Sequence, residues 1–343
     1  MDKQQPLLSV KNLKTHFFMD EGVVKAVDGV TFDVQAGQVF GIVGESGCGK
    51  SVTMKAVLRL VDPPGRIVGG EIMLRRTNED GSTNEAIDLV KLDANGKMMR
   101  DIRGAEIALI PQEPMASFSP VHTIGDQICE AIMLHQSVDK RAARKIALQM
   151  LKDVGIPIPE QRLDEYSWQL SGGLRQRAII AMALSCNPRL LIADEPTTAV
   201  DVTTQAQVLR LLRRLQEQRN AAIIFITHDL GVIAQMADSV MVMYLGLVME
   251  QGPVETIFHN AKHPYTQALL RSIPTVTMTP RVNLPTISGS IPHPFNKPKG
   301  CPFHPRCEKS IAGKCDARTP ALQAAGERQW VSCFLYHDVE VSA

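Results

Sequence analysis

The 343-residue sequence contains no apolar run approaching the ~20 residues needed to span a bilayer, and its start, Met1-Asp2-Lys3-Gln4-Gln5, lacks the apolar stretch of a secretory signal. Both absences argue against a helical membrane protein and lead to the expectation of a soluble, cytosolic chain. Charge of one sign is also lacking. The 37 Lys and Arg nearly balance 36 Asp and Glu, so neither a nucleic-acid-binding field nor a general attraction to anionic lipid is expected. Internal repeats and low-complexity tracts of consequence are missing, as is any long coiled-coil insertion. What remains is a globular composition: with 44% hydrophobic residues the chain can bury a sizeable core, as one large domain plus something smaller or as two domains.

Against that background stands Gly44-Glu45-Ser46-Gly47-Cys48-Gly49-Lys50-Ser51, which fits the G-x-x-x-x-G-K-[ST] phosphate loop at every fixed position. Residues 38–43 before it read as a buried parallel strand, and residues 52–58 after it, from Val52, read as a helix. Glycines at 44, 47 and 49 allow the backbone to wrap closely around phosphate oxygens, with successive N–H groups and the helix dipole aimed at the anion. Lys50 adds a mobile positive charge, and Ser51 is placed to offer a hydroxyl to Mg²⁺. The expected ligand is a nucleoside triphosphate.

Strand-like apolar runs recur at 39–43, 106–110, 190–193, 223–227 and 239–243, with helical segments between them, which predicts an α/β core with a mainly parallel sheet. Residues 7–18 and 24–34 read as strands of an antiparallel edge layer joined by a turn at Asp20-Glu21-Gly22. The polar stretch 75–96 reads as a surface strand–turn excursion. From Ile124 to about Gln169 the pattern turns helical, marking a subdomain inserted at about residues 122–187. After about Gly252 prolines crowd together (Pro264, Pro274, Pro280, Pro285, Pro292, Pro294, Pro298, Pro302, Pro305, Pro320), and such a segment cannot easily form its own large core.

Two further stretches carry chemistry. Asp194 and Glu195 end the apolar run 190–193, at the C-terminal edge of a strand, where ligands of open α/β sheets sit. Asp194 is a candidate Mg²⁺ partner through water, and Glu195 a candidate base for an attacking water. Leu170-Ser171-Gly172-Gly173-Leu174-Arg175-Gln176-Arg177 places a Ser-Gly-Gly turn at the start of a helix, a second anion-receiving N-terminus.

At these residues the chain resembles the ATP-binding subunits of ABC transporters, with Leu174 where many members of that family have Gln. The resemblance covers residues 1 to about 255 and implies a phosphate-loop NTPase of ABC type, an ATPase. It implies that Gln112, after the strand-like run, approaches Mg²⁺ and the γ-phosphate and communicates with the membrane subunits. His228, in Ile226-Thr227-His228-Asp229, matches the family's switch histidine. Asp201 matches the D-loop aspartate, although Val200 replaces the more usual Leu. Phe17 matches the aromatic that stacks on adenine, with His16 and Phe18 as neighbouring alternatives. The family arranges two subunits head to tail, so that Ser171, Gly172 and Gly173 of one complete the site around Lys50 of the other, and hydrolysis lets the pair separate.

Gln112-Glu113-Pro114-Met115-Ala116-Ser117-Phe118-Ser119-Pro120, the Ser171 turn and His263-Pro264-Tyr265-Thr266-Gln267-Ala268-Leu269-Leu270 resemble the oligopeptide/dipeptide importer branch. Its members carry a C-terminal extension, here residues 256–343. The resemblance implies a homologous second ATPase subunit, two permeases and an extracytoplasmic binding protein, with this chain peripheral on the cytoplasmic face of the inner membrane. Peptides are the expected cargo; oligosaccharide, nickel and glutathione are alternatives, and a soluble ABC ATPase of DNA repair or translation is the rival from another class. Cys301, Cys307, Cys315 and Cys333 are separated by five, seven and seventeen residues, with no short pair of the zinc-ribbon kind. A [4Fe–4S] cluster, as in some members of this branch, is the first expectation, ahead of Zn²⁺ and of free or disulfide cysteines.

Overall fold

The computed structural model describes residues 5–77, 83–113, 117–198, 201–273, 287 and 289–341. Met1-Asp2-Lys3-Gln4, residues 78–82 of the polar excursion, Pro114, Met115, Ala116, Ala199, Val200, Pro274, Pro280 and Pro285 lie outside the described residues. The chain divides into two compact units. Pro6–Asp33, Phe40–Val90 and Thr227–Ala343 form one, called the loop unit; Val34–Val39 and Lys91–Ile226 form the other, called the helical unit.

In the loop unit β1 (Leu8–Met19) and β2 (Gly22–Val34) form the expected hairpin, followed by β3 (Val39–Val43), α1 (Lys50–Val57), β4 (Gly65–Thr77) and β5 (Thr83–Asp88). One sheet runs β2-β1-β4-β5, with β1 antiparallel to β4. Leu8, Val10, Leu13 and Thr15 of β1 are buried, but strict alternation breaks where the register against β4 slips between Lys11 and Lys14. Asn12 there has φ 48 and Gly70 opposite has φ +97, and a Cβ on Gly70 would lie 2.6 Å from the Asn12 carbonyl oxygen. A bulge needs such a residue.

The helical unit contains α2 (Lys97–Ala105), β6 (Ile107–Ile110), α3 (Ile124–His135), α4 (Lys140–Asp153), α5 (Pro159–Arg162), α6 (Gly172–Leu184), β7 (Leu190–Asp194), α7 (Val202–Arg219) and β8 (Ala222–Ile226). The three strands pair in parallel in the order β8-β7-β6, and every residue of β7 and β8 is buried, as continuous apolar runs predict. Helix starts follow their side chains. Thr123 accepts from the Asp126 N–H, Asp139 from Ala142 and Asp201 from Thr204, each cap contributing about 1 kcal/mol.

The chain returns to the loop unit with α8 (Leu230–Met236), β9 (Ser239–Tyr244), β10 (Leu247–Pro253), α9 (Val254–His259), α10 (Pro264–Arg271), β11 (Gln323–Gly326) and β12 (Gln329–Val331). β3 runs parallel to β9, while β9, β10, β12 and β11 follow one another antiparallel. The proline-rich extension thus completes a sheet edge it does not build alone: Glu250 pairs with Val331 and Gln251 with Trp330. Glu250, fully buried, accepts hydrogen bonds from the backbone N–H groups of Lys262 (2.8 Å) and His263 (3.0 Å) and from the Gln329 amide (2.8 Å). One carboxylate ties the strand β10 to the start of α10 and to β12.

Candidate nucleotide-binding site

In the loop unit β3 delivers the chain into the phosphate loop. A Cβ on Gly44 (φ +153) would lie 2.2 Å from the Met243 carbonyl oxygen, and one on Gly49 (φ +103) 2.3 Å from that of Ala26, so both positions exclude side chains. At Gly47 (φ +76) the same construction meets nothing within 4 Å. The outer glycines serve the loop's own packing, and the middle one leaves its face open. α1 starts at Lys50 with no side-chain cap on its N-terminus and no acid in its first turn, unlike the capped helices above. A helix start of this kind, after a glycine-rich loop, suits an anion. Lys50, 5% exposed, folds back over the loop, its Nζ donating to the carbonyls of Gly44 (2.7 Å) and Glu45 (3.2 Å). Burial raises the Cys48 thiol against the opposing pull of Lys50, which leaves it protonated and inert. Ser51 follows Lys50 in the first turn of α1.

His228, also in the loop unit, is exposed two residues beyond β8. Its turn is fixed on both sides: the Thr227 hydroxyl accepts from the Asp229 N–H (3.0 Å), and the Asp229 carboxylate caps α8 through the N–H of Gly231 (2.8 Å). Phe17 pairs with Gly65 across β1 and β4, and its ring fills the space a Cβ at Gly65 would need, 2.5 Å away. The two neighbours are otherwise engaged: His16 pairs with Asp28 at 3.6 Å, and the Arg66 guanidinium lies over the Phe18 ring at 4.0 Å.

The helical unit holds the remaining candidates. Asp194 is the last residue of β7 and only 8% exposed. Glu195 follows at φ 47, unusual for a side-chain-bearing residue and of the kind held only where surroundings fix it. They do so here: its N–H donates to the Ile226 carbonyl (2.9 Å), and its carboxylate accepts from the Thr198 hydroxyl (3.0 Å). Gln112 is exposed, two residues past β6. Ser171 caps α6 by a long bond from the Leu174 N–H (3.4 Å), and a Cβ on Gly172 would meet nothing within 4 Å. A Cβ on Gly173 would lie 3.2 Å from Thr204 Cγ2, so the Ser-Gly-Gly turn sits beside the start of α7. There Asp201 accepts from the Thr204 N–H (2.9 Å) and hydroxyl (2.7 Å), bonds that hold its carboxyl below the usual range. Buried Gln176 of α6 reaches the Pro196 carbonyl (2.5 Å), joining the turn's helix to the segment after Glu195.

The ABC transporter family profile matches residues 27–198, and the profile of the oligopeptide/dipeptide transporter C-terminal region matches residues 249–315. The dipeptide transport ATP-binding protein DppD of Bacillus subtilis is 45% identical over 332 residues, 96% of this chain and 95% of that protein. The oligopeptide transport ATP-binding protein AppD of the same organism is 47% identical, covering 97% of each chain, and DppD of Escherichia coli is 44% identical, covering 95% and 96%. The chain belongs to the ABC transporter ATP-binding family. Among solved structures, the dimeric bacterial ABC transporter cassette MJ0796 superposes with TM-score 0.61 at 26% identity, covering 72% of this chain and 98% of that one. A second structure of MJ0796, dimeric and bound to ADP and Pi, gives 0.61 at 25% identity with the same coverage. The fold is that of an ABC cassette, and the family's activity is ATP hydrolysis.

Beyond the cassette motifs, the four late cysteines are all free thiols. The Cys301 N–H donates to the Cys315 carbonyl (2.8 Å), and the Ile311 N–H points at Cys315 Sγ (3.4 Å). Burial first, then the neighbouring thiols of Cys315, Cys333 and Cys307, push Cys301 up to about 12 against a bond from the Phe303 N–H. Cys333, raised chiefly by burial, reaches about 11. Among the described residues, however, no group of three or more His, Cys, Asp or Glu side chains is arranged to hold a metal ion.

Sequence reasoning missed three residues that hold Glu45 of the phosphate loop: Tyr244, Tyr265 and Arg306. The Glu45 N–H donates to the Tyr265 hydroxyl (3.0 Å), and the Glu45 carboxylate receives both Arg306 Nη atoms (2.8 and 3.1 Å), of which Nη1 also reaches the Tyr244 hydroxyl (3.2 Å). Only Tyr265, in its His-Pro-Tyr element, carried a sequence signal.

Proposed function

We propose that this chain is the energy-coupling ATPase of an importer of peptides. The observation that carries the proposal is the conjunction of an uncapped phosphate-loop helix at Lys50 with full-length similarity to proteins named for dipeptide and oligopeptide transport. No helix among the described residues is long and apolar enough to cross a membrane, so the membrane passage belongs to other chains: two permeases, served by an extracytoplasmic binding protein. The chain then docks peripherally at the cytoplasmic face of the membrane. Oligosaccharide, nickel or glutathione cargo remains the alternative within the same role, because cargo selection resides in those partners.

In this reading the loop residues 44–52 and Lys50 grip the triphosphate, with adenine against Phe17. Ser51, Asp194 and Gln112 supply oxygen donors of the kind Mg²⁺ prefers, and the ion would neutralise charge building on the phosphates. Glu195 takes the proton of the attacking water, and His228 aligns water and γ-phosphate. Ser171, Gly172 and Gly173 close on the nucleotide of a neighbouring cassette, and Asp201 lies at that contact. The empty space beside Gly172 supports the last assignment: its own chain has no packing need for glycine there, whereas a phosphate approaching from another subunit does. MJ0796, captured as a dimer, supports a paired arrangement, and the homologous second ATPase subunit is the expected partner.

Cys301, Cys307, Cys315 and Cys333 are assigned by the same proposal to a [4Fe–4S] cluster. Four free cysteines in one short segment, two of them buried, support it, since a cluster takes four thiolate ligands. Zinc is the alternative, less suited because the spacing offers no short cysteine pair. The function is tested by reconstituting the chain with its genomic-neighbour permeases and binding protein in vesicles. ATP-dependent accumulation of a labelled di- or oligopeptide is expected, and its absence alongside uptake of another cargo would reassign the substrate.

A further inference from the structure

Glu45 is an awkward residue to find in a phosphate loop, because a carboxylate beside a triphosphate site repels the ligand. In this chain the C-terminal extension removes the difficulty. The Arg306 guanidinium, whose side chain is 5% exposed, forks onto both oxygens of Glu45, whose own side chain is 20% exposed. Paired forks of this kind fix direction as well as charge. At the same residue the Tyr265 hydroxyl takes the backbone N–H, so both ends of Glu45 are held from outside the loop.

The holders are themselves fixed. Tyr244 and Tyr265 are fully buried, with ring centroids 4.8 Å apart, and Phe303 packs edge-on to Tyr244 at 5.5 Å and tilted on Tyr265 at 5.2 Å. Tyr265 stands in the first turn of α10, whose cap is the buried His263 imidazole accepting the Tyr265 N–H (3.0 Å). Arg306 ends the short turn His304–Arg306, pinned by the bonds His304 N–H to Cys301 carbonyl (3.0 Å) and Cys307 N–H to His304 carbonyl (3.2 Å). All of these residues belong to the loop unit.

We propose that Arg306 and Tyr265 are positioning residues for ATP: they hold Glu45 turned away from the phosphates and keep the loop in its receptive shape, so that the C-terminal extension sets nucleotide affinity. The proposal rests on the reading that ATP binds at the Lys50 loop. Without Arg306 the Glu45 carboxylate is left half-buried, unpaired and beside the incoming triphosphate. Truncating one member of such a buried pair is costly, and the loss here appears in ATP binding.

The test measures MgATP affinity of the full chain by displacement of a fluorescent ATP analogue, together with kcat and KM. Arg306→Ala is expected to weaken affinity by about tenfold to a hundredfold while changing kcat far less, and Arg306→Lys, which keeps charge but not the fork, to fall between. Adding Glu45→Gln to Arg306→Ala removes the unpaired carboxylate and is expected to restore most of the affinity, which a purely structural role of Arg306 would not allow. Tyr265→Phe, which deletes only the hydroxyl, gives a reading even if Arg306→Ala fails to fold, with severalfold weaker binding expected. Wild-type affinity in both Arg306→Ala and Tyr265→Phe, or a double variant no better than Arg306→Ala, would overturn the proposal. Wild-type protein that binds no ATP would instead overturn the ATPase reading beneath it.

Discussion

The backbone N–H of Glu195 is bonded to the carbonyl of Ile226 at 2.9 Å, which fixes a residue at φ 47 where the two parallel strands β7 and β8 end. The bond sets the direction of the Glu195 side chain from the backbone outward, and the Thr198 hydroxyl completes it at 3.0 Å. A group so held suits a proton acceptor that must meet one water in one place.

Glu195→Gln preserves the backbone bond and the shape of the side chain but removes its basicity. ATP affinity is expected to stay within about threefold of wild type, while turnover falls by about 10²- to 10⁴-fold. Steady-state phosphate release and equilibrium nucleotide binding measure the two halves, and normal hydrolysis by the variant would refute the assigned role.

Gly172 separates function from packing. Because a Cβ there meets nothing within 4 Å, Gly172→Val is expected to change folding stability by no more than about 0.5 kcal/mol. Hydrolysis by the assembled pair should nevertheless be lost if, as proposed, a neighbouring cassette's nucleotide occupies the space that the branched side chain would fill. Thermal melting and ATPase assays read the two effects, and full activity would show that nothing approaches this turn.

How much of this was legible in the sequence depends on range. The phosphate loop, the Asp194–Glu195 strand end and the Ser171 turn are local patterns whose chemistry lies within a few residues. Strands β3, β6, β7, β8 and β9 accordingly fall within a residue of the apolar runs that announced them. α1 begins at Lys50, two residues earlier than its apolar pattern, because glycine at 49 leaves the helix free to start on the loop itself. The pairing of β12 with β10 and the Arg306–Glu45 fork were not legible, since nothing local in Arg306 announces a partner 261 positions away. Cysteine spacing revealed a cluster of thiols but not their geometry, which depends on turns such as that at Gly300 (φ +72), where a Cβ would lie 2.3 Å from the Cys315 carbonyl oxygen.

The His263 imidazole gives the fold a pH dependence. Burial pushes it down to about 3, and with Nδ1 accepting the Tyr265 N–H the ring is neutral in the folded chain. The unfolded ring titrates near ~6.5, so the unfolded state alone gains a proton between those values. This contribution is complete above about pH 6.5 and is lost as pH falls, by about 2 kcal/mol at pH 5. Glu250, which accepts the His263 N–H and is pushed up by burial, acts in the opposite sense above its unfolded value. His263→Asn, which keeps a cap acceptor, should flatten the fall in melting temperature between about pH 7 and pH 5. An unchanged slope would assign the acid sensitivity elsewhere.

Protein purified without oxygen decides the chemistry of the four late cysteines. A brown absorbance with about four irons per chain is expected, lost on Cys301→Ser. Colourless protein carrying one zinc would select the alternative, and metal-free protein with intact fold and assembly would dismiss both.

The account depends most on a single ATP being held by the Lys50 loop of one cassette and the Ser171 turn of its neighbour. A structure of the Glu195→Gln assembly trapped with MgATP tests that directly. The account predicts Ser171 Oγ and the Gly172 and Gly173 N–H groups of one subunit within hydrogen-bonding distance of the γ-phosphate seated on the other. A nucleotide-loaded, closed pair with Ser171 remote from every phosphate would contradict it.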